Sequence, residues 1–192
     1  MLSEKLKTET LSNHQQLEKK LVAQMKAIRS ESDYAALLQL FYTYFGALEK
    51  RIDQYITPAI LADYADRRKT EALAKDISDL GAEPSSLAPE TALPPINNQL
   101  EAYGALYVIE GSTLGGKIIS KMMAQQLALE NNKGLSFFTG YADKSNEMWD
   151  KFKESLNLQP KSSVEEQTVI DSANETFLKF KQWFDHNQAQ LS

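Results

Sequence analysis

Two features of this 192-residue chain could do chemistry: a histidine near its start, His14, and a glycine-rich stretch from Glu110 to Lys117, EGSTLGGK. From Gly111 the stretch fits most of the phosphate-loop pattern G-x-x-x-x-G-K-[ST], whose backbone amides cradle phosphate groups. The position that should carry a metal-binding hydroxyl is Ile118, and isoleucine cannot coordinate a cation. A phosphate loop also belongs to a parallel sheet. No other segment alternates strand with helix, and no later apolar run ends in an acid suited to a metal. Nucleotide binding is therefore disfavoured.

Placed on a helix, Gly104, Val108, Gly111 and Gly115 fall on one face at steps of four, three and four, and Ser112 and Gly116 widen that face. Each interior glycine weakens a helix by about 0.5–1 kcal/mol relative to alanine. Something must be gained from so bare a surface. Either a second helix packs closely there, or a flat ligand lies against the backbone. Spacing alone leaves both open, and it also allows a kink at the glycines.

The chain has two histidines and no cysteine, so disulfides, thiolate nucleophiles and cysteine-held metals are excluded. His186 lies near the C-terminus, whereas His14 sits three residues before Leu17 on an apolar helix face. Such a histidine is ordinarily a hydrogen-bonded core residue. If a metal binds through imidazole, however, His14 is nearly the sole candidate. There is no E-x-x-H pair and no H-E-x-x-H. One imidazole cannot hold a bare metal, but it can be the axial ligand of a haem, whose ring supplies four nitrogens. Glu18, one turn on, is placed to orient the ring. G-x-S-x-G is absent too, and the Arg67-Arg68-Lys69 run reads as a solvated turn or a docking patch.

The elements that must position these residues are helical. Leu6, Leu17 and Leu21 mark a first segment. Tyr34, Leu37, Leu38, Phe41, Phe45, Leu48 and Ile52 form an amphipathic stripe that ends near Thr57-Pro58. A third piece runs near Asp66–Leu80 and stops at Gly81. Four prolines between Pro84 and Pro95 predict a loop. Helix returns from about Asn97 to Asn131, and Phe137 and Phe138 follow it as a cover. Trp149, Phe152 and Leu156 mark a further helix. A capping box at Ser163–Glu166 opens a last one, with Ala173, Phe177, Phe180 and Phe184 on one face. The expectation is all-α: one compact helical bundle over residues 1–192. A net charge of −5 disfavours nucleic acid as a partner. The charged N-terminus and the short apolar stretch at Tyr103–Ile109 predict a cytoplasmic protein with no membrane partner.

In this order and spacing, two motifs resemble the haem oxygenase family over most of the chain. LKTETLSNHQQLE (Leu6–Glu18) is similar to its first-helix motif, and YGALYVIEGSTLGGKII (Tyr103–Ile119) to its distal-helix signature in bacterial members associated with bilin photoreceptors. FFTGYADK, DKFK and TFLKFKQWF resemble later segments. The resemblance implies a haem-oxygenase-like fold with His14 as proximal iron ligand. It implies that Gly111, Ser112, Gly115 and Gly116 shape the O2 site, and that Phe177 contributes to the haem pocket. Lys7 and Lys153 match propionate-binding lysines. The implied reaction opens haem, both substrate and cofactor, to biliverdin, CO and Fe2+, using O2 and electrons from an external donor such as a ferredoxin or a flavin reductase. A bilin photoreceptor is a possible recipient of the product. The chain departs from other members at three positions. Ser112 stands where many carry an aspartate that organises water, Asn157 where some carry an arginine, and Phe45 where some carry a tyrosine. These departures favour, as the alternative, a non-catalytic haem carrier or sensor on the same fold.

Overall fold

In the computed structural model, residues 1–191 are described, with side chains through Asn187. The helices are α1 (Leu2–Glu9), α2 (Leu11–Ala27), α3 (Glu31–Ile52), α4 (Glu71–Asp79), α5 (Gln99–Leu127), α6 (Ser136–Thr139), α7 (Ser145–Asn157) and α8 (Ser163–Leu191). Among the described residues there is no strand, as the helical spacing predicts. Nor is any helix long and apolar enough to cross a membrane.

The helix ends follow their cap chemistry. Ser30 Oγ accepts the Asp33 amide and opens α3. Asn98 Oδ1 accepts the Glu101 amide at 2.9 Å, while the Glu101 carboxylate takes the Asn97 amide at 2.8 Å, so one orphan amide of the first turn of α5 and the amide just before its cap are met. For α8 the box sits one residue earlier than predicted. Ser162 Oγ accepts from the Glu165 amide, and Glu165 in turn accepts from the Lys161 amide.

Three other expectations change. The first segment is two helices, divided at Thr10, whose hydroxyl donates to the Leu6 carbonyl at 2.6 Å. A buried Thr hydroxyl that bonds back to the preceding turn competes with the backbone and bends the helix. The third piece is a 3-10 turn at Tyr64–Asp66 followed by α4. Finally, α5 runs unbroken through its glycines and ends at Ala128, which is left-handed at φ 50°.

The interior is an aromatic cluster from α3, α6 and α8. Tyr44 stacks on Phe180 with centroids 4.6 Å apart, and its hydroxyl donates to the Thr176 carbonyl. Phe41 meets Phe45, Phe138, Phe180 and Phe184 edge to face. Each such ring contributes about 1.5–3 kcal/mol through burial. Together they fix α8 against α3 and so fix Phe177 in its place above the first helices.

Candidate haem site

A cleft of about 700 Å³ opens between α1–α2 on one side and α5 on the other, with α7 and α8 as walls. Its lining is mostly aromatic and aliphatic: Phe41, Phe45, Phe138, Phe180 and Phe184 at the core side, Val108 and Ile119 from α5. That size and composition suit a flat apolar molecule. Of the residues singled out in the sequence, Lys7, His14, Glu18, Gly111, Ser112, Gly115, Lys153 and Phe177 all line it. Gly116 does not.

His14 faces the cleft rather than the core, with its side chain 47% exposed. Its ring lies on Phe177, and its Nε2 sits 2.9 Å from Glu18 Oε1, one helical turn away. A carboxylate beside one ring nitrogen favours the proton there, which leaves the lone pair of the other for a metal. Lys153 Nζ lies 3.1 Å from Asp150 in an exposed pair, an interaction weak enough to be exchanged for an anionic ligand. Asn157 is engaged elsewhere: its Oδ1 accepts the Ser3 amide at 2.8 Å and ties α7 to the start of α1.

The glycines divide between the two readings left open by their spacing. A Cβ on Gly104 would meet Ser172 Cβ and the Val169 carbonyl at 2.6 Å, so this glycine permits α5 to lie against α8. A Cβ on Gly116 would stand 2.4 Å from the Phe138 carbonyl, so this one admits the backbone of α6. Gly116 is thus a packing residue here, turned from the cleft. At Gly115 an added Cβ meets nothing within 4 Å, and at Gly111 only the Trp149 ring at an ordinary 3.6 Å. Neither has a backbone conformation that requires glycine. The fold has no need of glycine at 111 or 115, yet both line the cleft.

Below α5 lies a polar layer that the sequence reading missed. Arg67 is buried rather than solvated. Its Nη1 donates to Glu110 at 2.9 Å, and Nε and Nη2 grip Asp63. Arg68 extends under the next turn, with Nη2 donating to Ser112 Oγ at 2.6 Å and to the Ile109 carbonyl at 2.7 Å. Tyr141 donates to Glu110 and accepts the Arg68 amide. Burial, with Glu110 beside it, raises the Tyr141 phenol above its usual value and keeps it a donor. One signal was available: Glu110 is a carboxylate inside the apolar run ALYVIE, and a buried carboxylate needs a buried cation. Trp149 does more than mark a helix. It covers Gly111 and stacks with Phe152.

Chemically, the cleft offers one nitrogen ligand on one face, a bare helix with a hydroxyl on the other, and lysines at its edge. This set fits a haem. Known proteins agree. The Heme oxygenase family model matches residues 1–186. A heme oxygenase of Xanthomonas campestris pv. campestris is 27% identical over 150 residues, 77% of this chain and 86% of that protein. Heme oxygenase PigA of Pseudomonas aeruginosa is 26% identical over 178 residues, 93% of this chain and 88% of that protein. The crystal structure of the NO- and CO-bound heme oxygenase from Neisseria meningitidis superposes with a TM-score of 0.84 at 24% identity, covering 98% of this chain and 92% of that one. With the model matching nearly the whole chain, this protein belongs to the haem oxygenase family.

Proposed function

We propose that this protein is a haem oxygenase that holds haem between His14 and the Gly111–Gly115 face of α5 and opens it to biliverdin, CO and Fe2+. The observation that carries the reading is a pair of cleft-lining glycines that the fold does not require: Gly115 faces open space and Gly111 only an ordinary contact with Trp149. Each costs the helix about 0.5–1 kcal/mol, and with no packing neighbour to require them, as Gly104 and Gly116 have, a ligand is what needs the room. Opposite them stands the one imidazole of the cleft.

Bound haem supplies the iron that activates O2 and the ring carbon that is oxidised. The chain's own part is placement. His14 offers one nitrogen, while Glu18 and Phe177 fix the ring's angle. Lys7 and Lys153, on the cleft lining, would pair with the propionates and so orient the ring. Gly111 and Gly115 let the helix backbone approach the distal side, where Ser112 presents its oxygen. Electrons come from an external donor of the ferredoxin or flavin reductase kind, and the product is of the class a bilin photoreceptor takes up.

The test is turnover. The purified haem complex, given a reductant system under O2, should lose its haem spectrum and gain that of biliverdin with release of CO. A haem complex that survives several reductants, a ferredoxin system included, would make the protein a haem carrier instead.

A further inference from the structure

We infer that Arg68 is the positioning residue of the distal side: it locks Ser112 so that the hydroxyl turns only a lone pair toward the cleft and orders water as an acceptor. This inference rests on the haem reading above and concerns the residue that stands in place of a carboxylate.

A serine hydroxyl has one hydrogen and two lone pairs. Ser112 Oγ lies 2.6 Å from the Ile109 carbonyl oxygen. Two oxygens that close, with no hydrogen between them, would set lone pair against lone pair, so the hydroxyl hydrogen points to Ile109. Arg68 Nη2 lies 2.6 Å from the same Oγ. A guanidinium only donates, so Arg68 occupies one of the two lone pairs. What Ser112 has left for the cleft it lines is a single acceptor site.

The lock is rigid because the guanidinium is held from several directions. Nη1 donates to the Phe137 carbonyl at 3.1 Å, and the group lies 3.7 Å above the Phe137 ring. Nε is buried without an acceptor, so the two terminal nitrogens carry the hold. The backbone amide is fixed on Tyr141, and neighbouring Arg67 is pinned to Glu110 and Asp63. Both arginines therefore brace the turn of α5 that carries Ile109, Glu110 and Ser112. Burial pushes the Arg68 guanidinium down to about 10, which still leaves it charged at neutral pH.

An aspartate at this position would also act as an acceptor toward water. The Ile109 carbonyl takes the serine's hydrogen, and Arg68, which donates to both that carbonyl and Oγ, holds the side chain in the rotamer where it does so, making the serine equivalent in that respect. The distal hydrogen-bond sense is kept while the negative charge is not.

Fluoride titration of the ferric haem complex reads this directly, because fluoride on iron accepts hydrogen bonds and gains from any donor nearby. In the otherwise wild-type protein Ser112→Ala should leave fluoride affinity within about twofold, since the hydroxyl gives the cleft no hydrogen. In an Arg68→Met background nothing holds the Ser112 side chain on the Ile109 carbonyl, so its hydroxyl can swing to the cleft, and the same Ser112→Ala change should weaken fluoride by about fivefold, one hydrogen bond's worth. Comparing within one background cancels the loss of the arginine's charge. Equal weakening in both backgrounds would overturn the lock. No effect in either would remove Ser112 from the distal side. If Arg68→Met fails to fold, a fivefold weakening by Ser112→Ala in the wild-type background overturns the inference by itself. In that case Arg68→Lys, which keeps the charge but not the two-nitrogen grip, replaces the second background. Failure of the wild-type protein to form any haem complex would overturn the haem reading, and this inference with it. A normal complex with the contrary fluoride pattern overturns this inference alone.

Discussion

The His14 ring lies stacked on Phe177, with centroids 5.1 Å apart and planes inclined by 18°. The contact joins α2 to α8 across the cleft wall, and the Glu18 carboxylate, 2.9 Å from Nε2, flanks the same ring at its edge. A ligand held on face and edge has little orientational freedom left to lose when a metal binds.

Loosening either hold should therefore weaken haem binding without unfolding the protein. Glu18→Gln is expected to cost about 10-fold in haem affinity, at the low end of what orienting partners of metal ligands contribute. Phe177→Leu should give a smaller loss, because it keeps most of the apolar volume. Hemin titration followed at the Soret band measures both. Unchanged affinity in both variants would mean that the ring's orientation is set elsewhere.

The glycines make a prediction of opposite signs along one helix. Gly115→Ala should stabilise the ligand-free protein by about 0.5–1 kcal/mol, because its Cβ meets nothing. The same change should impair haem turnover. Gly116→Ala and Gly104→Ala should destabilise by about 1–3 kcal/mol, since each drives a Cβ into backbone. Urea unfolding of the three variants separates the classes. A destabilised Gly115→Ala would show that the fold, and not a ligand, demands that glycine.

Glu110 and Arg67 form an ion pair that is almost wholly buried, at 2% and 1% side-chain exposure. Glu110→Ala leaves the arginine without its partner under the distal turn, and is expected to cost about 3–5 kcal/mol in unfolding free energy. Glu110→Gln, which can still accept a hydrogen bond, should cost less. A loss below about 1 kcal/mol for the alanine variant would mean that Asp63 alone satisfies Arg67.

Asp76 gives a pH dependence. Its carboxylate accepts from the Ser136 amide and hydroxyl and from the Phe137 amide, and so places α6 against Gly116. Burial nevertheless raises its pKa above 3.8, outweighing those bonds. The folded protein then holds this proton more tightly than the unfolded chain does. Between the two pKa values stability from this group rises as pH falls. Urea midpoints of wild type should accordingly improve relative to Asp76→Asn as pH is lowered from neutrality toward 3.8. The reverse trend would show that the hydrogen bonds dominate.

What the sequence made legible was local. His14, Glu18, Lys7, Gly111, Ser112 and Gly115 occupy helix faces whose spacing is set by 3.6 residues per turn, and they reach the cleft together. What it hid depends on neighbours far along the chain. Gly104, Gly115 and Gly116 look alike until Ser172 and Phe138 are brought beside two of them. Arg67-Arg68 looks like a surface run because its partners, Glu110 and Ser112, lie more than forty residues away. The α8 cap slipped by one because Ser162–Glu165 and Ser163–Glu166 offer the same pattern in adjacent registers. The break at Thr10 is hidden as well, because nothing local says which way its hydroxyl will point.

Hemin titration of the wild type and of His14→Ala, read at the Soret band, decides whether His14 holds haem. A one-to-one complex is expected in the wild type, whose band shifts and whose affinity falls sharply when His14 is removed. A wild-type complex matched in position and strength by the His14→Ala protein would contradict that role, because the cleft would then hold haem without the one ligand its geometry provides.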